Sequence, residues 1–335
     1  MFKVALVHID DPNPKLPDWV GKRLEAHGVS FVYRQCTCDT EVIEVAADAD
    51  VVWVNGGGRV VTPTSLPDLK RCRAIIRTGS GTDNIPVEEA SARGVLVVNT
   101  PQATVDPVSD HAIALMLSVF RWIPRQDRAM REGQWRCTGL EWNLHLSGSV
   151  IGLVGFGRIA QAMVRKLSGF DLHFMAFDPY VPRQAMADLR VLNSELNDVL
   201  SQSDIISLHT PLTKETHQLI GEREFRLMKP NAVLINTSRG QVVDEQALVS
   251  ALTEGRLAAA GIDVFESSPP PTDSPLRKLE NVVITPHIAS ECDQIDEDFW
   301  HYSVEAICDM AQGHLPASYV NPHVADRSGF TIREF

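Results

Sequence analysis

The run VIGLVGFGRIAQAM opens with an apolar stretch, Val150 to Val154, then passes through Gly155, Phe156, Gly157, Arg158, Ile159 and Ala160 into a helical pattern. Two glycines allow a tight turn and a close backbone approach to a pyrophosphate, while the small Ala160 lets helix and strand pack closely. Free N–H groups at the start of such a helix stabilise phosphate charge. Glycine turns join strands to helices in many proteins, so this loop carries weight only with a second feature. The next apolar run supplies it by ending in Met175-Ala176-Phe177-Asp178, which puts Asp178 21 residues beyond Gly157. A carboxylate there accepts hydrogen bonds from the adenosine ribose of NAD and repels the extra phosphate of NADP, a preference that Arg183 would soften. Taken alone, Asp178 would be read as a solvated residue opening the Asp178-Pro179 turn; strand, loop and spacing together favour a dinucleotide site.

The elements that must hold this loop are legible on both sides of it. From Met1 to about Asn99, β-branched runs (Val4 to Ile9, Ser30 to Arg34, Val51 to Asn55, Ala74 to Thr78, Val95 to Asn99) alternate with helical stretches such as Trp19 to His27 and Val42 to Ala47. A second series has strands at Val150 to Val154, His173 to Phe177, Ile205 to His209, Ala232 to Asn236, Ala259 to Asp263 and Val282 to Thr285. Such alternation predicts an α/β fold of two doubly wound parallel-sheet domains. Between them a helix from about Pro107 through HAIALMLSVFRWI is apolar on most faces, as expected of one buried between packed units. Residues 121 to 147 carry Trp122, Trp135 and Trp142; this aromatic crowding suits a homodimer interface, or packing on the chain's own core. The acid-rich stretch Glu291 to Asp298 reads as the start of a helix, and the residues after Pro322 as a polar tail.

Composition narrows the class. The 335 residues are 44% hydrophobic and 22% charged, which excludes large-scale disorder, and 43 acids against 31 bases give a net charge of −12, which argues against a nucleic-acid partner. No apolar run approaches the ~20 residues of a membrane helix. The amino-terminal residues read as a first strand without a signal peptide's apolar core, and six scattered cysteines suggest reduced thiols, so a cytoplasmic protein is expected. No histidine–cysteine cluster has metal-ligand spacing, and no metal is expected.

Several blocks, in order, resemble the D-isomer-specific 2-hydroxyacid dehydrogenases, the family of D-3-phosphoglycerate, D-glycerate and D-lactate dehydrogenases. They are TGSGTDNI (78–85), DHAIALML (110–117), the GFGRIA loop, SLHTPLT (207–213), INTSRG (235–240), GIDVFE (261–266) and TPHIA (285–289). The resemblance covers about Ala74 to Ser290. It implies a Rossmann NAD domain (101–288) inserted in a flavodoxin-like substrate domain (1–100 plus 289–335), and an NAD-dependent oxidoreductase acting on a small 2-hydroxy or 2-oxo acid. Arg239 would be the arginine that orients the substrate, its guanidinium forking onto carboxylate and carbonyl oxygen. His287 would be the acid/base, delivering a proton to the carbonyl oxygen as hydride reaches carbon. Ser80 and Gly81 would hold the substrate carboxylate with backbone N–H groups. Asn55, Gly56 and Gly57 would form another wall, the glycines leaving room for substrate or merely making a flexible loop. Thr104, Thr210, Pro211 and Thr237 would line the nicotinamide, with Asp263 holding its carboxamide, and His209 would be a further cofactor-binding residue.

One position departs from the family pattern. A glutamate usually stands three residues after the phenylalanine of DVF and hydrogen-bonds the histidine; here it is Ser268. A serine can orient the ring but contributes no charge. Glu266 could take over, Glu291 or Asp293 could substitute, or the enzyme could run with a less basic histidine and a lower useful pH. An alternative function implied by the resemblance is an NAD(H)-binding regulator like the related transcriptional corepressors, against which the retention of Arg239 and His287 weighs.

Overall fold

The computed structural model describes residues 1–11, 15–135 and 145–332. The chain divides into two compact units, one of Met1–Thr104 with Cys292–Phe335 and one of Val105–Glu291.

The first unit is a five-stranded parallel sheet of β1 (Phe2–Ile9), β2 (Val29–Tyr33), β3 (Val51–Asn55), β4 (Ala74–Thr78) and β5 (Leu96–Asn99), in the order β2-β1-β3-β4-β5. That is the flavodoxin-like order, whose switch point lies between β1 and β3. Near-continuous Val, Ile and Leu runs bury both faces of the sheet. Trp53 anchors one face: its ring meets Trp300 edge-on at 5.3 Å, and its Nε1 donates to the Thr78 hydroxyl at 2.8 Å, so the polar tip of a fully buried indole is satisfied.

The carboxyl-terminal residues are not a polar tail. Asn321 is buried, accepts from the Val97 N–H at 2.9 Å and donates to Ser91 Oγ and the Val95 carbonyl at 2.8 and 3.0 Å. Val324 and Phe330 are buried too, the latter beneath the Arg73 guanidinium at 4.0 Å. Scattered anchors among polar residues leave no period for a sequence pattern to detect.

The second unit is a seven-stranded parallel sheet. In chain order its strands are β6 (Val150–Val154), β7 (His173–Phe177), β8 (Leu192–Asn193), β9 (Ile205–Leu208), β10 (Val233–Asn236), β11 (Ala259–Ile262) and β12 (Val282–Ile284), arranged β12-β11-β10-β9-β6-β7-β8. Six strands are those expected; the seventh, β8, is two residues long and too short to show alternation. The order reverses between β6 and β9, the Rossmann switch point, and ligands of such sheets bind at the strands' carboxyl ends there.

The buried helix differs from expectation at its far end. It spans Val105–Phe120 and stops before Trp122, whose φ of +55° breaks the helical path; a separate helix covers Ile123–Arg131. Likewise the helix after the acid-rich stretch begins only at Ile295, leaving Glu291 and Asp293 in the preceding turns. Trp135 is exposed, whereas Trp142 lies outside the described residues.

Candidate active site

In the second unit four adjacent strands deliver the candidate residues at one edge. His209 and Thr210 follow β9, Thr237 and Arg239 follow β10, Asp263 follows β11, and Thr285 and His287 follow β12. Neighbouring strands lie about 4.8 Å apart, so a parallel sheet lines up these side chains without further design.

Beside them the glycine loop follows β6. Gly155 has φ +89°, and a Cβ there would stand 2.9 Å from the carbonyl carbon and oxygen of His209, so only glycine fits. Gly157 has open space and caps the helix Arg158–Lys166. The Phe156 side chain is buried in the core, while its N–H donates to Asp178 Oδ2 at 2.8 Å. Asp178 Oδ1 accepts from the N–H groups of Tyr180 and Val181 at 2.8 and 3.1 Å. The carboxylate therefore ties the glycine loop to the end of β7. Ile159 and Arg158 open the helix, and Pro211 continues the loop after β9.

Three buried polar atoms at this edge have no hydrogen-bond partner among the described residues: His209 Nε2, Thr210 Oγ1 and Thr237 Oγ1. An unsatisfied buried polar atom costs ~1–3 kcal/mol, and a cluster of them beside a glycine cradle fits a ligand rich in donors and acceptors, as a dinucleotide is. Burial also pushes the His209 imidazole down to about 4. Its folded-state value lies below the unfolded one, so the unfolded chain binds the extra proton first. The stability contribution is complete above pH 6.5, erodes between 6.5 and 4, and is gone below. We expect His209→Asn to flatten this dependence: between pH 7 and 5 wild type should lose about 2 kcal/mol more urea stability than the variant. Equal losses would refute the neutral buried state.

The loop after β10 is shaped by Asn236, whose Oδ1 accepts from the Ser238 N–H at 3.0 Å and from its hydroxyl at 2.8 Å, while Nδ2 donates to the Arg239 carbonyl at 3.1 Å. Arg239 is half-buried, and its Nη1 donates to the Ser238 carbonyl at 2.7 Å, which steadies the guanidinium. Gly240 then packs so tightly that a Cβ would lie 1.9 Å from the Phe265 carbonyl.

His287 occupies the left-handed region with φ +56°, an uncommon state for a residue other than glycine. Its N–H donates to the Asp263 carbonyl oxygen at 2.8 Å. The fully buried Asp263 carboxylate accepts from the Ile288 and Ala289 N–H groups, both at 3.0 Å, and from Thr285 Oγ1 at 2.6 Å. Sequence reasoning saw Asp263 only as a cofactor contact and missed that it clamps the turn carrying His287. Ser268 and Glu266 are exposed. Glu291 is exposed as well, and Asp293 belongs to the other unit.

The remaining candidates lie in the first unit. Asn55 ends β3 with Gly56 and Gly57 after it, and Ser80 and Gly81 follow β4, at the carboxyl ends of two paired strands. Asn99 Nδ2 donates to the Ser80 carbonyl at 2.8 Å, and Thr104 Oγ1 to the Pro101 carbonyl at 3.1 Å. Side chains stand over two of the three glycines after Asn55. A Cβ at Gly56 would overlap Asp10 Oδ2 at 2.0 Å, and one at Gly58 would overlap His8 Nε2 at 2.3 Å. Asp10 also accepts from the Gly57 N–H, and Asn84 donates to the carbonyls of Gly56 and Gly58. The loop is therefore braced by the side chains of Asp10 and Asn84.

Comparison with known proteins bears on this arrangement. Residues 113–289 match the model of the D-isomer specific 2-hydroxyacid dehydrogenase NAD binding domain. A glyoxylate reductase of Thermococcus litoralis is 40% identical over 269 residues, 78% of this chain and 81% of that protein. The chain belongs to the D-isomer specific 2-hydroxyacid dehydrogenase family. A D-3-phosphoglycerate dehydrogenase of Methanocaldococcus jannaschii is 36% identical over 285 residues, 84% of this chain but 53% of that longer protein. Among solved structures, a D-lactate dehydrogenase of Aquifex aeolicus complexed with NAD and lactic acid superposes with a TM-score of 0.81 at 25% identity, covering 95% of this chain and 99% of that one. As a family member the protein is an oxidoreductase that binds NAD and acts on 2-hydroxy acids. No helix among the described residues is long and apolar enough to cross a membrane.

Proposed function

We propose that the protein is an NAD-dependent reductase of small 2-oxo acids, working as a D-2-hydroxyacid dehydrogenase in which Arg239 orients the substrate and His287 moves the proton. The observation that carries this reading is the alignment of Arg239, Asp263 and His287 at the ends of three adjacent strands, next to a glycine cradle and unsatisfied buried polar atoms. In the proposal 101–288 binds NAD, and 1–100 with 289–335 binds substrate through Asn55, Gly56, Gly57, Ser80 and Gly81. Gly155 to Ile159 face the pyrophosphate and Asp178 the ribose; Thr210, Pro211, Thr237 and Asp263 line the nicotinamide, and His209 and Thr104 are further cofactor-binding candidates. When bound, NADH supplies the hydride. The guanidinium binds the substrate carboxylate and polarises the keto oxygen, and the His287 imidazolium gives its proton to that oxygen. Ser268 stands in place of the usual glutamate; its hydroxyl can orient a ring by a hydrogen bond but carries no charge of its own. The similarity to glyoxylate reductases supports a compact 2-oxo acid as substrate.

The test is turnover of a panel including glyoxylate, hydroxypyruvate and pyruvate with NADH and with NADPH. We expect NADH to be oxidised with at least one of these, and NADPH poorly used. Asp178→Asn keeps one of the two acceptor oxygens but removes the charge; it should narrow the preference for NADH at least tenfold. Binding of NADH without its oxidation by any acid of the panel would sink the proposal.

We further propose a cytoplasmic homodimer. Ile123 and Met130, seven residues apart on one helix face, are 54% and 51% exposed, and Trp135 is 79% exposed, an apolar surface fit for a second copy. The five cysteines among the described residues are free thiols, in keeping with a reducing compartment. A monomeric mass in light scattering would count against the dimer.

A further inference from the structure

His111 lies on the helix Val105–Phe120 in the same row as Leu115 and Val119, four and eight residues on. Those two side chains press on the sheet at Gly261, where a Cβ would meet Leu115 Cβ at 3.2 Å and Val119 Cγ2 at 3.3 Å. A polar residue on a sheet-facing row needs a partner. Its Nε2 lies 3.0 Å from Thr285 Oγ1 and 3.6 Å from Asp263 Oδ1.

Proton bookkeeping fixes the direction of this chain. Thr285 has one hydroxyl proton, which points to the buried Asp263 carboxylate at 2.6 Å. Toward His111 the same oxygen can therefore only accept, so His111 Nε2 carries a hydrogen and donates it. Asp263 passes the constraint on: its carboxylate gathers the N–H groups of Ile288 and Ala289, and its carbonyl takes that of His287. The left-handed state of His287 persists only when such surroundings over-determine it.

We propose that His111 is a positioning residue for His287, acting through Thr285 and Asp263 to hold the turn that aims the imidazole. The proposal rests on His287 being the acid/base group. Removing the donor frees the Thr285 rotamer, loosens one of three donors on a buried carboxylate and lets the turn drift; a displacement near 1 Å can cost about 100-fold in rate.

The experiment compares His111→Leu with His111→Gln, whose amide can donate from nearly the same place. With NADH and the best 2-oxo acid, the Leu variant should lose at least about tenfold in kcat and show a larger solvent deuterium isotope effect, because proton delivery becomes slower. The Gln variant should recover most of both. Wild-type kcat and isotope effect in the Leu variant would overturn the proposal, and so would equal losses in Leu and Gln. Should the Leu variant fail to fold, Thr285→Val against Thr285→Ser decides: loss in Val with recovery in Ser supports the relay, and equal behaviour overturns it. His287→Asn, run alongside, separates the two levels. If it keeps full activity, the acid/base reading itself fails; if it is inactive while the His111 variants are unaffected, only the relay fails.

Discussion

Arg239→Lys should lower kcat/KM for the 2-oxo acid by about a thousandfold while leaving the Kd for NADH within about threefold. Charge is retained, so the loss measures geometry. A guanidinium presents parallel N–H groups that bind carboxylate and keto oxygen together, and it remains anchored through Nη1 to the Ser238 carbonyl at 2.7 Å. An ammonium on a flexible stem cannot do both. Losing one donor aimed at developing charge typically costs 100- to 1,000-fold, and here substrate orientation is lost with it. Steady-state kinetics with NADH fluorescence titration checks this; a drop below about tenfold would assign Arg239 to structure rather than substrate.

His287→Asn carries the second large effect. Asparagine tolerates the left-handed backbone that His287 adopts at φ +56°, so the turn should survive, whereas most other replacements would add strain. The variant lacks a titrating proton donor, and kcat for reduction should fall by about 100- to 10,000-fold. The pH profile gives an independent signature. In the proposed mechanism reduction uses the imidazolium, so the wild-type rate should decline as pH rises; the residual rate of the variant should show no such step. Wild-type pH dependence in a slow variant would move the acid/base role to another group.

Much of this site was legible in the sequence because parallel strands buried on both faces announce themselves as β-branched runs, and chemistry in such sheets gathers where the runs end. The residues that end β9 to β12 could thus be read from the sequence as candidates, and the sheet order makes them neighbours. What escaped is where one residue meets another far along the chain. Nothing in Asn55-Gly56-Gly57-Gly58 tells that Asp10 and His8 fill the space over the glycines. Nor does GIDVFE reveal that Asp263 anchors the turn of His287, because its partners lie more than twenty residues away. The break at Trp122 was hidden by an apolar pattern that runs straight through it. His111 did leave a signal, one histidine in an otherwise apolar helical row, and it points to a partner without naming it.

The most direct measurement is the configuration of the alcohol made from pyruvate or a longer 2-oxo acid with NADH, resolved by chiral chromatography. With guanidinium and imidazole fixed on one edge of the sheet, hydride should reach a single face of the ketone, and the product should be the D-2-hydroxy acid alone. An L product, a racemic mixture, or bound NADH that no 2-oxo acid can oxidise would contradict the assignment of Arg239 and His287.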